Sequence, residues 1–267
     1  MRLAGKVAVI VGAGQSPGEG LGNGRATALL FAREGAKVLA VDLDLESAWD
    51  TAALVKEEGG ECVAFEADVT REASLQAAVA EAVKRWSRVD ILHNNVGLSL
   101  AGGDADPLEI TEAAFDRISA INLRGTIMAC KHVLPVMRAQ RSGAIINISS
   151  IAAWATNYPT VAYKTTKAGM IAYTQQIATH NAEFGIRCNV ILPGLIDTPM
   201  AVDTRARTWG RTREEVAAAR DARVPLRRKM GTAWDVANAA LFLASDEASF
   251  VTGVALPVDG GSSLLRE

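Results

Sequence analysis

"VGAGQSPGEGLGNGRATALLFAREG", Val11 to Gly35, reads as the end of a strand, a glycine-rich turn and the opening of a helix. A helix N-terminus with glycines ahead of it presents backbone N–H groups and the positive end of the helix dipole, which suits a phosphate. The first strand ends at Gly12 and the helix is expected to start near Arg25, with Gly35 as its stop. The glycines are too many and too widely spread for one tight turn. Which of them meets a phosphate, and what the extra length does, is the question the stretch poses.

Working outward, the same alternation recurs along the chain. Strand-like runs begin at Lys6, Lys37, Cys62, Val89, Gly143, Ile186 and Gly253. They are near-continuous apolar runs, the pattern of strands buried on both faces of a parallel sheet. Helical stretches lie between them, such as "REASLQAAVAEAVKRW" after an expected N-cap at Thr70 and "TTKAGMIAYTQQIATHNAEFG" before a stop at Gly185. Alternating strand and helix predicts an α/β fold, a single-domain doubly wound (Rossmann) parallel sheet of about seven strands with helices on both faces. No linker, repeat or low-complexity block interrupts 1–267. In such a fold ligands bind beyond the carboxyl ends of the strands, so the residues just after each strand are the ones to inspect.

Bulk properties narrow the function. Net charge is −2 with both signs well mixed, which argues against nucleic acid or an anionic membrane as partner. No apolar run approaches ~18 residues, so no membrane span is expected. Cys62, Cys130 and Cys188 are odd in number and show no CxxC spacing; they read as reduced, mostly buried thiols of a cytoplasmic protein. His93, His132 and His180 are scattered, and no metal site is expected.

Two ends of a site emerge. The second strand closes on Asp42, followed by Leu43 and Asp44. A carboxylate there accepts hydrogen bonds from both hydroxyls of an adenosine ribose and repels a 2′-phosphate, which favours NAD over NADP; the plainer reading is a turn residue. At the other end, Tyr163 and Lys167 stand four apart at the start of a helical pattern and share its face. An ammonium near a phenol lowers the phenol's pKa, making Tyr163 a candidate general acid or base. Ser150 ends the fifth strand thirteen residues earlier, and Asn122 sits in a helical region where an amide is a poor helix former. Taken singly, a YxxxK pair is usually a solvated helix face and Asn122 a surface residue.

Together these blocks resemble the short-chain dehydrogenase/reductases. The resemblance rests on the glycine turn, "ADV" at Asp68, "NNVG" at Asn94, "AINLRG" around Asn122, "NISS" ending at Ser150, "YKTTK" at Tyr163, "LPGLIDTPM" from Leu192 and "VTGVALPVDGG" near the end. It implies that Tyr163 exchanges a proton with a carbonyl or alcohol oxygen and that Lys167 lowers its pKa and bonds the nicotinamide ribose. Ser150 would orient the reacting oxygen, and Asn122 would hold a water linking Lys167 to solvent. Asp68 and Val69 would contact adenine; Asn95 and Gly97 would line the adenosine ribose and cofactor channel; Ile196 and Thr198, after Pro193-Gly194, would bind the carboxamide. The resemblance also implies a homotetramer and a mobile substrate lid around 199–231.

The resemblance sharpens the opening question. The family turn reads glycine, three residues, glycine, one residue, glycine. Counting back from the helix, the last two glycines are Gly22 and Gly24, with Asn23 where the family usually has Ile; Gln15 to Gly20 is then an insertion bulging outward, with Glu19 facing solvent. A rival alignment takes Gly20 and Gly22. The expected activity is hydride transfer between NAD(H) and a mid-sized, partly apolar secondary alcohol or its ketone, since enoyl reductases of the family use a wider Tyr–Lys gap. The arginines of 199–231, among them Arg205, Arg207, Arg211 and Arg213, read first as a solvated helix face. Trp154, Met200 and Trp209 are candidate pocket walls. A catalytically silent NAD-binding regulatory or scaffold protein is the alternative; a sugar-nucleotide epimerase would need a longer C-terminal part.

Overall fold

The computed structural model describes residues 1–264. Its main sheet has seven strands, all parallel: β1 (Val7–Val11), β2 (Lys37–Asp42), β3 (Glu61–Glu66), β4 (Ile91–Asn94), β5 (Gly143–Ile148), β6 (Ile186–Pro193) and, at the far edge, β9 (Ala255–Val258). Their order is β3-β2-β1-β4-β5-β6-β9. A two-stranded parallel piece, β7 (Ile196–Asp197) with β8 (Gly231–Thr232), stands apart and brackets the segment between them. The sequence reading marked the seven main strands and missed this short pair.

Alternation along β1 explains the two layers. Ala8 and Ile10 face α1 (Asn23–Arg33) and α9 (Ala233–Ala244), packing with Phe31, Val236 and Leu241. Val9 and Val11 face the other way, toward α3 (Glu72–Trp86) and α5 (Gly125–Gln140), packing with Leu75 and Val133. Both faces are therefore dry, and that is why the strands read as unbroken apolar runs. Helices α2 (Leu45–Glu57), α4 (Glu112–Ser119) and α6 (Ala162–Asn181) complete the layers, while α7 (Asp203–Trp209) and α8 (Arg213–Asp221) lie between β7 and β8. The order reverses at β1, whose neighbours are β2 and β4, and the crevice at this switch point holds the site.

Local signals held in part. Gly35, in the left-handed region at φ +89, follows the end of α1 as expected. Helix α1 starts at Asn23 rather than near Arg25, because Gly22 in extended conformation is its N-cap. Helix α3 is capped at Arg71, not Thr70; the Thr70 N–H and hydroxyl instead donate to Asp68 Oδ1 at 2.8 and 2.7 Å, closing a tight turn. Cys130 and Cys188 are buried and Cys62 half-buried, all three unbridged. Among the described residues no helix is long and apolar enough to cross a membrane, and no group of three His, Cys, Asp or Glu is placed to hold a metal.

His93 of β4 is fully buried against the edge of Phe31, and neither ring nitrogen has a partner. Burial drives its pKa down to about 3, against ~6.5 in an unfolded chain. Below ~6.5 the unfolded chain takes a proton that the folded one refuses, so stability falls as pH drops from there toward 3 and is flat above. We expect His93→Leu to remove this loss, on the order of a few kcal/mol at pH 4. Urea unfolding of both proteins at pH 4 and 8 checks it: a wild-type and variant difference unchanged between the two pH values refutes the assignment.

Candidate active site

The crevice is one continuous cavity of about 1700 Å³ running from the glycine turn to the β7–α8 region. Its first end is built by β1, α1 and β2. Gly12, at φ +85, leaves no room for a side chain: a Cβ would lie 2.9 Å from Val96 Cγ2. Gly24 is tighter still, since its Cβ would fall 1.9 Å from the Gly12 carbonyl oxygen, to which Asn95 Nδ2 donates at 2.9 Å. Gly22 is the N-cap, with no side-chain cap and no acid in the first turn. Its N–H donates to Gln15 Oε1 at 3.0 Å, and Gln15 Nε2 donates to the Gly20 carbonyl at 3.3 Å, so Gln15 clasps the neck of the long turn. Asn23 lines the cavity with its Oδ1 buried and unpartnered.

At the end of β2, Asp42 accepts from Gly14 N–H at 2.8 Å and from Asp44 N–H at 3.2 Å. Leu43 lies exposed beside it, and Asp68 and Val69 continue the wall. Arg25, the first cation after the turn, does not reach the cavity. It is buried behind α1, donating to Thr51 Oγ1 at 2.9 Å and to the Ser47 carbonyl at 3.0 Å.

The long turn itself does not bulge freely into solvent. Glu19 is exposed, but its N–H donates to Asp203 Oδ1 at 3.2 Å and its carboxylate lies 3.7 Å from Arg213, which also meets Asp197 at 2.6 Å. Arg207 donates to the Pro17 carbonyl at 3.2 Å. Charged groups on α7 and α8 thus hold the turn from the opposite rim.

The second end is built by β5 and α6. Tyr163 is half-buried one residue into α6, its hydroxyl hydrogen-bonded to Ser150 at the end of β5. Lys167, one turn later, is fully buried; its Nζ donates to the Ile148 carbonyl at 2.7 Å and to that of Val96 at 3.5 Å, and sits 5.7 Å from the Tyr163 ring centre. A Cβ on Gly97 would press to 3.3 Å of that ammonium. Pro193, Ile196 and Thr198 close the far wall.

The electrostatics differ from the expectation that Lys167 lowers the phenol. Burial pushes Tyr163 up to about 12, with Tyr158 adding to the rise, while the Ser150 bond, Arg205 and Arg220 pull it down. Burial likewise pushes Lys167 down to about 7. The ammonium is engaged with main-chain carbonyls rather than aimed at the hydroxyl, and desolvation dominates both groups.

Asn122 does not line the cavity. It is fully buried in a π-helical turn, Ala120–Arg124, between α4 and α5. Its Oδ1 accepts from Leu98 N–H at 2.7 Å and its Nδ2 donates to the Leu98 carbonyl at 2.9 Å, clamping the segment after β4. The poor helix former marks a break in helical hydrogen bonding, as π-turns at functional sites do.

Asp104 was missed in the sequence. It is buried, and its two carboxylate oxygens accept from the N–H groups of Ala162 and Tyr163, each at 2.9 Å. It caps α6 from 58 residues away, so no local capping pattern announces it.

Fold and site together describe an oxidoreductase whose switch-point crevice joins a glycine turn to a Ser–Tyr–Lys group. Residues 19–263 match the family model described as Enoyl-(Acyl carrier protein) reductase. A 2-(R)-hydroxypropyl-CoM dehydrogenase from Xanthobacter autotrophicus is 35% identical, covering 96% of this chain and 97% of that protein. The 3-oxoacyl-[acyl-carrier-protein] reductase FabG of Thermotoga maritima is 38% identical, covering 98% and 99%. A crystal structure of a Burkholderia xenovorans protein, provisionally classed as a short-chain dehydrogenase/reductase, superposes with a TM-score of 0.90 at 45% identity over 100% and 99% of the two chains. The chain belongs to the short-chain dehydrogenase/reductase family, oxidoreductases that use a nicotinamide cofactor.

Proposed function

We propose that this protein transfers a hydride between NAD(H) and a secondary alcohol or its ketone. The observation that carries the reading is that the Tyr163 phenol, bonded to Ser150 and one helical turn from Lys167, opens on the same cavity as Gly12, Gly24 and Asp42. When bound, the cofactor supplies or accepts the hydride. Ser150 orients the substrate oxygen; Tyr163 delivers or removes its proton; Lys167 bonds the nicotinamide ribose and shares the proton path. Asn122 acts one step removed, holding Leu98 so that the wall beside Lys167 keeps its shape. A phenol–hydroxyl pair serves an oxygen atom, so a C–OH/C=O substrate suits it better than a C=C bond. The names of the dehydrogenase and 3-oxoacyl reductase relatives agree with that choice.

The cofactor fits the first end. The close Gly12–Gly24 contact brings α1's uncapped N-terminus against β1, where a pyrophosphate gains from the helix dipole. We read Gln15 to Gly20 as an insertion clasped by Gln15 and anchored to the rim, and 199–231 as a substrate lid built around Val202, Val216, Val224 and Met230. Asp42 selects NAD: it presents a carboxylate where a 2′-phosphate would sit, and the nearest cation, Arg25, is turned away. We expect Asp42→Ala to weaken NAD binding and narrow the preference over NADP by a few kcal/mol, the worth of lost charged hydrogen bonds plus lost repulsion. Steady-state kinetics with both cofactors measure it, and a wild type that already prefers NADP refutes the reading. Screening NAD with a panel of secondary alcohols, following NADH absorbance, separates an enzyme from a silent NAD-binding protein.

A further inference from the structure

The substrate end of the cavity carries a cluster of arginines with no ion pair among the described residues; Asp197 and Asp221 act on Arg220 only from beyond ion-pair distance. Arg205, Arg211, Arg220, Arg223 and Arg228 all line this end. The acidic lining residues, Asp42, Asp44 and Asp68, belong to the opposite end, around the glycine turn. Among the described residues none of the five arginines has a carboxylate within ion-pair distance; the carboxylates nearby are taken, Asp197 by Arg213 and Asp221 by Lys229. Three of the five are exposed, as solvated arginines would be. Arg205 and Arg220 are not: both are half-buried, and their protein bonds are to neutral atoms. Arg205 donates to the Ala201 carbonyl at 3.0 Å, and Arg220 to Met230 Sδ at 3.3 Å and the Ile196 carbonyl at 3.5 Å. Burial and the like charges of Arg205 and Arg223 push the Arg220 guanidinium down to about 10, with Asp197 and Tyr158 offsetting only part of the fall.

This cluster stands beside the reacting group. Tyr158 stacks on Tyr163 with ring centres 6.0 Å apart, and Arg205 and Arg220 act electrostatically on both phenols. Thr160, buried with its hydroxyl unpartnered, lines the same cavity. Trp154, Met200 and Trp209 supply apolar wall between. Two guanidiniums held together in partial burial are unfavourable until a two- or three-oxygen anion lies across their donors.

We propose that the alcohol substrate has a short apolar body ending in an oxyanion group, a carboxylate, sulfonate or phosphate monoester, held by Arg205 and Arg220. The proposal deepens the hydride-transfer reading and rests on it. The arginines read from sequence as a solvated face therefore divide: Arg205 and Arg220 hold substrate, while Arg207 and Arg213 hold the long turn.

The test is calorimetric titration of the NADH-saturated protein, which leaves the cofactor's own phosphate site filled and cannot oxidise an alcohol. The ligands are 4-hydroxypentanamide and its carboxylate, sulfonate and phosphate-ester counterparts, each also one carbon shorter and longer. One anionic class should bind at least about tenfold tighter than the amide, and the comparison among the three tells which anion fits. Arg205→Met should erase about 10- to 100-fold of that preference, the worth of a charged hydrogen bond, and Arg205→Lys should restore part of it. Arg220→Met, checked by thermal melting because it also ties Ile196 and Met230, should act likewise. Equal binding of amide and all anions, or a preference that survives both Met variants, overturns the proposal. Turnover with NAD is followed in parallel. Neutral alcohols oxidised as well as the anions would refute the anion site and leave hydride transfer standing. Tight anion binding with no alcohol oxidised would do the reverse.

Discussion

Tyr163→Phe is expected to lose about 10²- to 10⁴-fold of turnover, the usual share of a general acid–base step, while folding and binding NADH as the parent does. The substitution removes one oxygen. The ring keeps its stacking with Tyr158, and the main-chain N–H keeps its bond to Asp104, so α6 stays capped. What is lost is the hydroxyl that bonds Ser150 and would exchange a proton with the substrate oxygen. The pH dependence has a sign. With the phenol up near 12, it is protonated at neutral pH and ready to donate to a ketone, whereas alcohol oxidation needs it deprotonated. Oxidation in the parent should therefore climb with pH from 7 to 10, and the residual rate of the variant should not. Stopped-flow NADH absorbance across that range reads both; a variant turning over within threefold of the parent would sink the assignment. Such a result would move the proton to Lys167, whose own value near 7 is suited to the task.

What could be seen in the sequence followed from chemistry that is local in the chain. The inner strands betray themselves because both faces of each are buried, the edge strands β3 and β9 are apolar but only partly covered, and the residues just past the strands are near the crevice by topology alone. Hence Asp42 and Ser150 could be placed beside the crevice without coordinates, while Tyr163 and Lys167 joined them through their spacing and the family resemblance. What escaped is what depends on long-range placement. Asp104 caps α6 from a distant loop, so its carboxylate looks like any other in "GGDADP". Asn122 is unusual in its helical setting, but only the folded chain shows that its amide is taken up by the Leu98 main chain and the Thr166 hydroxyl. The Tyr163–Lys167 spacing told that the two share a face and not where the ammonium points; its bonds to Ile148 and Val96 are set by strands elsewhere. Arginines on α7 and α8 divide by which side of a short helix they occupy, and residue type alone does not carry that.

The second large effect settles which glycines do the work. Gly24→Ala should weaken NADH binding by more than 100-fold and lower the melting temperature; Gly20→Ala should leave NADH binding within about threefold. Helix propensity alone predicts the opposite for Gly24, because Ala stabilises a helix interior by ~1 kcal/mol over Gly. The added Cβ, however, would lie 1.9 Å from the Gly12 oxygen and 2.7 Å from Asn95 Nδ2. Neither can yield: Asn95 is bonded to that same oxygen, and Gly12 is pinned by its N–H bond to Val41. The helix must then back away from β1, carrying its N-terminus off the site where the pyrophosphate is expected. Overpacking alone costs ~1–3 kcal/mol, and here backbone meets backbone, so the upper end is the starting point. Gly20 has open space around its Cβ position and pays only for φ +83, a cost of ~1–2 kcal/mol carried by the turn and not by the helix. Fluorescence titration with NADH, beside thermal melts of both variants, reads the two effects separately. If instead Gly20→Ala abolishes binding and Gly24→Ala spares it, the phosphate lies within the long turn, and Gln15 to Gly20 is the cradle itself rather than an insertion tied to the opposite rim by Asp203, Arg207 and Arg213.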